Sequence, residues 1–315
     1  HWYAMTRLDQ NRGRAMLAHK ANVPIDQVTR VTAWGNHRPS VYIDFHNSWL
    51  GDRPAHEVIH NRDCVRNVFE PGVASRGQPG FKWRGANPAA SASQARNMAE
   101  AAKDAGVKHV IWSTLEDTRK SIPLSDDRMP TLMGKYKVPH FDGKGEADEI
   151  FSKLGVPTTF LVTSFYWENF IYFGMGPKKG ADGKLAITLP MGTKKLPSIA
   201  AEDIGKTAYA IFEEGNELIG KTVGIAGGHL TGAQMAKSLS KALGQQVNYN
   251  AVPPATYRGF GFPGAEDLGN MFQFNSDFEQ DCCDARNISE TKTLNPELQT
   301  FDRWLSENKS KIPLG

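Results

Sequence analysis

At 315 residues the chain has room for one large domain or two ordinary ones, each with a real core. Hydrophobic residues make up 40% and charged residues 23%, the ordinary balance of a soluble globular protein, and a formal net charge of +3 is too small to argue for a nucleic-acid partner. No run of about eighteen apolar residues exists, so no membrane span is expected, and three cysteines (Cys64, Cys282 and Cys283) without a Cys-x-x-Cys spacing read as thiols of a cytoplasmic protein, with neither a disulfide framework nor a metal site.

The opening run His1-Trp2-Tyr3-Ala4-Met5 reads as entered mid-domain. Asn11 to Ala21 has a helical pattern broken by Val23-Pro24, and Val28 to Trp34 is a strand by its Val and Thr content. From Ser40 to Phe45 apolar and polar residues alternate with period two, which predicts a half-buried strand. Asn61 to Val73 is again helical in pattern, and Gly77-Gln78-Pro79-Gly80 interrupts. A strong helix follows from Ser91 to Asp104, with Ala95, Met98, Ala99 and Ala102 striping one face and Gly106 as its stop; Val107 to Ser113 is a short strand of the parallel-sheet kind. The helix–glycine–strand unit recurs as Gly145 to Leu154, Gly155-Val156-Pro157 and Thr158 to Thr163. Ala201 to Glu214 is helical, Thr222 to Ala226 a strand, and Thr231 with Gln234 predicts a capping box for a helix to Leu243. Alternating helices and short buried strands predict an α/β fold: a Rossmann-like parallel sheet, incomplete, with a small C-terminal substrate-side region.

Two constellations carry chemistry. The first is Asp9 and Arg12, three apart at a helix start, with His37 in Trp34-Gly35-Asn36-His37. A histidine oriented by a carboxylate can protonate a carbonyl, and an arginine can grip a substrate carboxylate with paired hydrogen bonds. Ala4-Met5-Thr6-Arg7-Leu8-Asp9-Gln10-Asn11-Arg12, Trp34 to His37, Val41 to Phe45, Glu57-Val58-Ile59 and Ala89 to Ser93 together resemble malate dehydrogenase over roughly residues 1–95. The resemblance implies that Asp9 orients the catalytic His37, that Arg12 binds substrate, and that NAD is the cofactor. This chain departs from the family at Arg38, where a small hydroxyl residue is usual, and it lacks the nucleotide-binding half that precedes these motifs there.

The second constellation runs from about Gln94 to the end. Trp112 to Asp117, His140 to Glu146, Phe165 to Asn169, Glu202 to Gly205 and Gly261 to Ala265 resemble the NmrA-like family, atypical short-chain dehydrogenase relatives that bind NADP. That likeness implies a catalytic or cofactor-contacting Lys144, and cofactor contacts from Arg96, Tyr166, Trp167, Glu168 and Asn169. A cation at Lys144 would favour an anionic cofactor and developing negative charge. No glycine-rich turn stands in the first ninety or so residues, where backbone N–H groups would cradle a pyrophosphate. Gly259 to Gly264 carries aromatics and a proline and reads as a rigid turn, and Gly227-Gly228-His229 as a loop. No Tyr-x-x-x-Lys pair exists; Tyr136 and Lys144 are eight apart.

Three functions follow: an NmrA-like, NADP-associated redox sensor or weak oxidoreductase; a malate dehydrogenase-type oxidoreductase; or a non-catalytic composite joined near Ser91–Arg96. The expected organisation is a malate dehydrogenase-like segment over residues 1–95 and an NmrA-like region over 96–315. The expected partners are a dinucleotide, a small carbonyl substrate, a regulatory protein and a second copy of the chain. An incomplete sheet exposes strand edges, which predicts poor solubility or dimerisation.

Overall fold

A computed structural model describes residues 3–6, 32–33, 41–44, 88–180 and 182–315. In chain order the strands and first helices are β1 (Tyr3–Thr6), β2 (Thr32–Ala33), β3 (Val41–Asp44), α1 (Pro88–Asp104), β4 (Val110–Thr114), α2 (Pro139–Lys153), β5 (Thr158–Val162), β6 (Phe165–Tyr166), α3 (Asn169–Tyr172) and β7 (Lys178–Lys179). There follow β8 (Leu185–Thr188), β9 (Lys195–Ile199), α4 (Ala201–Glu213), β10 (Thr222–Gly224), β11 (Gly228–Thr231), α5 (Gly232–Leu243), β12 (Val247–Asn250), α6 (Pro254–Arg258), α7 (Ala265–Asp277), α8 (Glu279–Asp284), α9 (Ile288–Leu294) and α10 (Phe301–Asn308). The helices expected over 11–21 and 61–73 lie outside the described residues. Among the described residues no helix is long and apolar enough to cross a membrane.

Two compact units are distinguished. The first comprises the described residues through Leu124, Leu132–Leu161 and Glu214–Thr222. Its sheet has the order β10-β5-β4-β1-β3-β2, the last residues of β5 and β10 passing into the second unit. β1 runs antiparallel to β4 and to β3, with Met5 opposite Ile111 and Tyr42 respectively.

The helices α1 and α2 pack together through a core of Ala95, Ala99, Ala102, Trp112, Ala147 and Phe151, joined by Val107, Val110 and Val156. Alanines four and three apart leave one face of α1 nearly smooth, so α2 can approach closely. Both helices end the same way. Gly106 and Gly155 take φ of 61° and 68°. At α1, Gly106 N donates to Lys103 O and Val107 N to Ala102 O; at α2, Gly155 N donates to Ser152 O and Val156 N to Phe151 O. This is the Schellman closure, in which a left-handed glycine turns the chain and an apolar residue after it folds back onto the helix. Val107 and Val156 are those residues.

The start of α2 differs from expectation. The helix expected over Gly145 to Leu154 begins six residues earlier, at Pro139. Proline at the first helical position forfeits no helical hydrogen bond. Gly145 is required by packing, since an added Cβ would stand 2.7 Å from Asp117 N.

The second unit comprises Ser125–Thr131, Val162–Glu213 and Val223–Gly315. It holds two three-stranded sheets, β11-β9-β6 and β12-β8-β7. In them β6 is parallel to β9 and β12 parallel to β8, while β11 and β7 are antiparallel additions. The expected capping box forms: Gln234 N donates to Thr231 Oγ1 and Thr231 N to Gln234 Oε1. His229 lies on β11 rather than in a loop, its Nε2 2.9 Å from Arg286 O. The core is aromatic, with Phe301 against Trp167, Phe170 and Trp304, and Trp304 against Trp167. Asp203 is fully buried and accepts from Asn295 Nδ2, Gln299 N and Gln299 Nε2, tying α4 to the chain around α9 and α10.

Candidate functional site

In the first unit the chemistry gathers where β4 ends against α2. Ser113 and Thr114 are the last two residues of β4. Lys144 lies one third of the way along α2, is only 8% exposed, and donates from Nζ to Ser113 Oγ at 3.1 Å. Asp148 stands one helical turn further on. Positions four apart share a helix face, so the amine and the carboxylate are neighbours.

Burial pushes the Lys144 amine down to about 8, with the negative charge of Asp148 partly opposing the fall. Burial pushes the Asp148 carboxyl up to about 7, opposed by the Thr114 and Trp112 side chains and by the charges of Lys120 and Lys144. Both shifts have one cause: the low-dielectric contact between α2 and β4 disfavours either ion. Thus β4 and α2 place a hydroxyl, an amine and a carboxyl together, the latter two ionising near neutrality.

Asp142 anchors the start of α2. It is fully buried and accepts four hydrogen bonds: from Thr118 N at 2.8 Å, Thr118 Oγ1 at 2.6 Å, Lys137 N at 2.8 Å and Val138 N at 3.1 Å. Burial raises its carboxyl while these donors lower it. The carboxylate thereby pins the turn at Thr118–Lys120 and the approach to α2 onto the helix that carries Lys144. Beside it Arg119 bridges Asp117 and Glu146 and lies over the Tyr136 ring.

The sequence-derived residues fall in different places. Arg96 is exposed on α1. Tyr166 is half-buried in the second unit, its hydroxyl 3.4 Å from Thr163 Oγ1. Trp167 is fully buried against Phe301 and Trp304. Glu168 accepts from Ala201 N at 2.9 Å and Trp304 Nε1 at 3.0 Å, and burial raises its carboxyl. Asn169 is half-buried at the start of α3. Asp9, Arg12 and His37 lie outside the described residues. Gly259–Gly264 joins α6 to α7, helix to helix, whereas a phosphate-cradling turn follows a strand. Ser113 and Asp148 were not singled out from the sequence. The spacing of Lys144 and Asp148 was a legible signal; the pairing with Ser113, 31 residues away, was not.

The pair has a pH signature. The folded Lys144 holds fewer protons than the unfolded one between about 8 and the ordinary lysine value of 10.5, so its contribution to stability rises with pH across that window. The folded Asp148 holds more protons between the ordinary 3.8 and about 7, so its contribution falls as pH rises through that window. The two together favour the fold least between about 7 and about 8. Urea midpoints of the wild type and of the double variant Lys144→Met, Asp148→Asn are expected to show it. The wild type should gain on the variant on both sides of that interval, and a difference independent of pH would contradict the assignment.

A family model described as the NmrA-like family matches residues 87–305, and one described as the lactate/malate dehydrogenase alpha/beta C-terminal domain matches residues 6–121. Among curated proteins, malate dehydrogenase of Chlamydia felis is 47% identical over 103 residues, 33% of this chain and 31% of that protein. Malate dehydrogenase of Chlamydia trachomatis serovar L2 is 46% identical over 178 residues, 54% of this chain and 48% of that protein. The chain therefore spans less than half the length of these relatives. Among solved structures, NmrA, a negative transcriptional regulator in complex with NADP, is 22% identical with a TM-score of 0.55, covering 71% of this chain and 72% of that one. Triphenylmethane reductase of Citrobacter sp. complexed with NADP(H) is 19% identical with a TM-score of 0.54, covering 71% and 74%. At these identities the likeness establishes the α/β Rossmann-like fold.

Proposed function

The chain belongs to the NmrA-like family, and we propose that it binds NADP(H) as a redox-sensing or weakly oxidoreductive protein, with Lys144 contacting the cofactor. The observation that carries this reading is the buried Lys144 amine paired with Ser113 at the end of β4, because ligands of open α/β sheets bind at the carboxyl ends of the strands. Fold relatives solved with NADP and with NAD support the choice of ligand. A lysine there supplies positive charge and a donor to ribose or carbonyl oxygen. Arg96 and, in the second unit, Tyr166 and Asn169 remain cofactor contacts on the family resemblance alone. Trp167 and Glu168 hold that segment by packing and by hydrogen bonds to α4 and α10.

Titration with NADPH, followed by nicotinamide fluorescence, tests the reading. Saturable binding is expected, weakened about 10- to 100-fold in Lys144→Met, the size of a lost charged hydrogen bond. Absence of saturation at high micromolar NADPH removes the proposal.

The match over residues 6–121 favours a second reading, a malate dehydrogenase-type oxidoreductase using NAD with Asp9, His37 and Arg12. Oxaloacetate-dependent NADH consumption should then collapse in His37→Ala; equal rates would dismiss it. The two family models overlap from 87 to 121, the stretch that holds α1 and β4. If the segments form a composite joined near Ser91–Arg96, the join falls within α1, and the intact mass of the natural product decides it.

A further inference from the structure

We propose that Asp148 is a positioning residue for Lys144: one helical turn on and against the same end of β4, its carboxylate keeps the amine charged and held toward Ser113. This rests on the reading of Lys144 as a cofactor contact and adds what governs that contact.

The argument begins with burial. Burial of a lysine only 8% exposed favours its neutral form. Asp148 supplies the negative charge that opposes its neutralisation. Asp142, though nearer in sequence, has its oxygens engaged by one hydroxyl and three backbone N–H groups, and its carboxylate serves the turn at Thr118. The groups that bear on Asp148 are Thr114 and Trp112 from β4, Lys120 from the short turn, and Lys144 from its own helix. Thr114 and Trp112 lie two apart on one strand and so share a face. With Lys120 they provide two polar side chains and one cation beside a carboxyl otherwise disfavoured by burial.

The chemistry follows. With Asp148 ionised, Lys144 is an ammonium and presents positive charge to an anionic or carbonyl ligand. When the carboxyl takes a proton, the amine loses that negative charge and is released more easily as the neutral base. The ionisations of Lys144 and Asp148 are thus coupled and lie about one pH unit apart, near 8 and near 7. A ligand that prefers the ammonium then binds with a pH dependence that Asp148 controls.

Competitive acylation of the native chain with acetic anhydride from pH 6 to 11, read at the Lys144 peptide by mass spectrometry, tests this without any cofactor. In Asp148→Asn the half-labelling pH should fall by about one unit, giving roughly fivefold more labelling at pH 7, and Asp148→Glu should restore the wild-type curve. Superimposable curves for wild type and Asp148→Asn would overturn the proposal. Should Asp148→Asn fail to fold, wild-type protein carrying 13Cε-lysine serves. Its Lys144 resonance should titrate in two coupled steps, and a single step would overturn the proposal equally. A coupled titration without NADPH binding would defeat the cofactor reading and leave the pair intact.

Discussion

Replacing Trp304 with alanine is expected to cost about 3–5 kcal/mol, the range for deleting a large buried aromatic side chain. Trp304 is 2% exposed, stacks on Phe301 at 5.9 Å and meets Trp167 at 6.0 Å. Its indole N–H also donates to Glu168 Oε1 at 3.0 Å. The substitution therefore opens a cavity beside the Phe301 and Trp167 rings and takes a donor from a carboxylate that burial already disfavours. Trp304→Phe keeps most of the volume but loses the donor, and should cost about 1–3 kcal/mol. Urea unfolding followed by far-ultraviolet circular dichroism checks both. An alanine variant within about 1 kcal/mol of the wild type would mean that this cluster does not hold the second unit together.

Asp142→Ala is the second large effect, about 3–5 kcal/mol. Three backbone N–H groups, of Thr118, Lys137 and Val138, lose their acceptor at once. Each buried donor left unpaired costs roughly 1–3 kcal/mol, partly relieved if water enters. Asp142→Asn should be little better, because its amide NH2 would face donors where the carboxylate presents two acceptor oxygens. The expected signature is local. Amide exchange of Thr118, Lys137 and Val138 should accelerate before the rest of the first unit opens. NADPH binding, if it depends on Lys144 two residues along the same helix, should weaken in parallel. Unchanged exchange at those three amides would remove Asp142 as the clamp.

Much of the fold was legible because much of it is local. The alanine stripe of α1, the glycine stops at Gly106 and Gly155, and the Thr231–Gln234 box depend on residues no more than a few positions apart, so sequence spacing reports them directly. The start of α2 was misjudged for the opposite reason. Gly143 and Gly145 look like helix breakers in isolation, but contact with Asp117 requires a residue without Cβ at Gly145, and the bond network of Asp142 fixes the preceding turn. Helix propensity is a weak prior when tertiary contacts oppose it.

By itself the sequence determined the α/β class, membership in the NmrA-like family, and the elements with short-range signals, α1, α2, β5, α4 and α5; it pointed to Lys144 through the family resemblance alone. Tertiary structure alone decided the partners of that lysine. Ser113 lies 31 residues away and Thr118 lies 24 from Asp142, separations at which no periodicity connects residues. It also decided the ionisation of Lys144 and Asp148. A side chain's charge depends on how much water its surroundings exclude, and burial is a property of the packed helix and strand together.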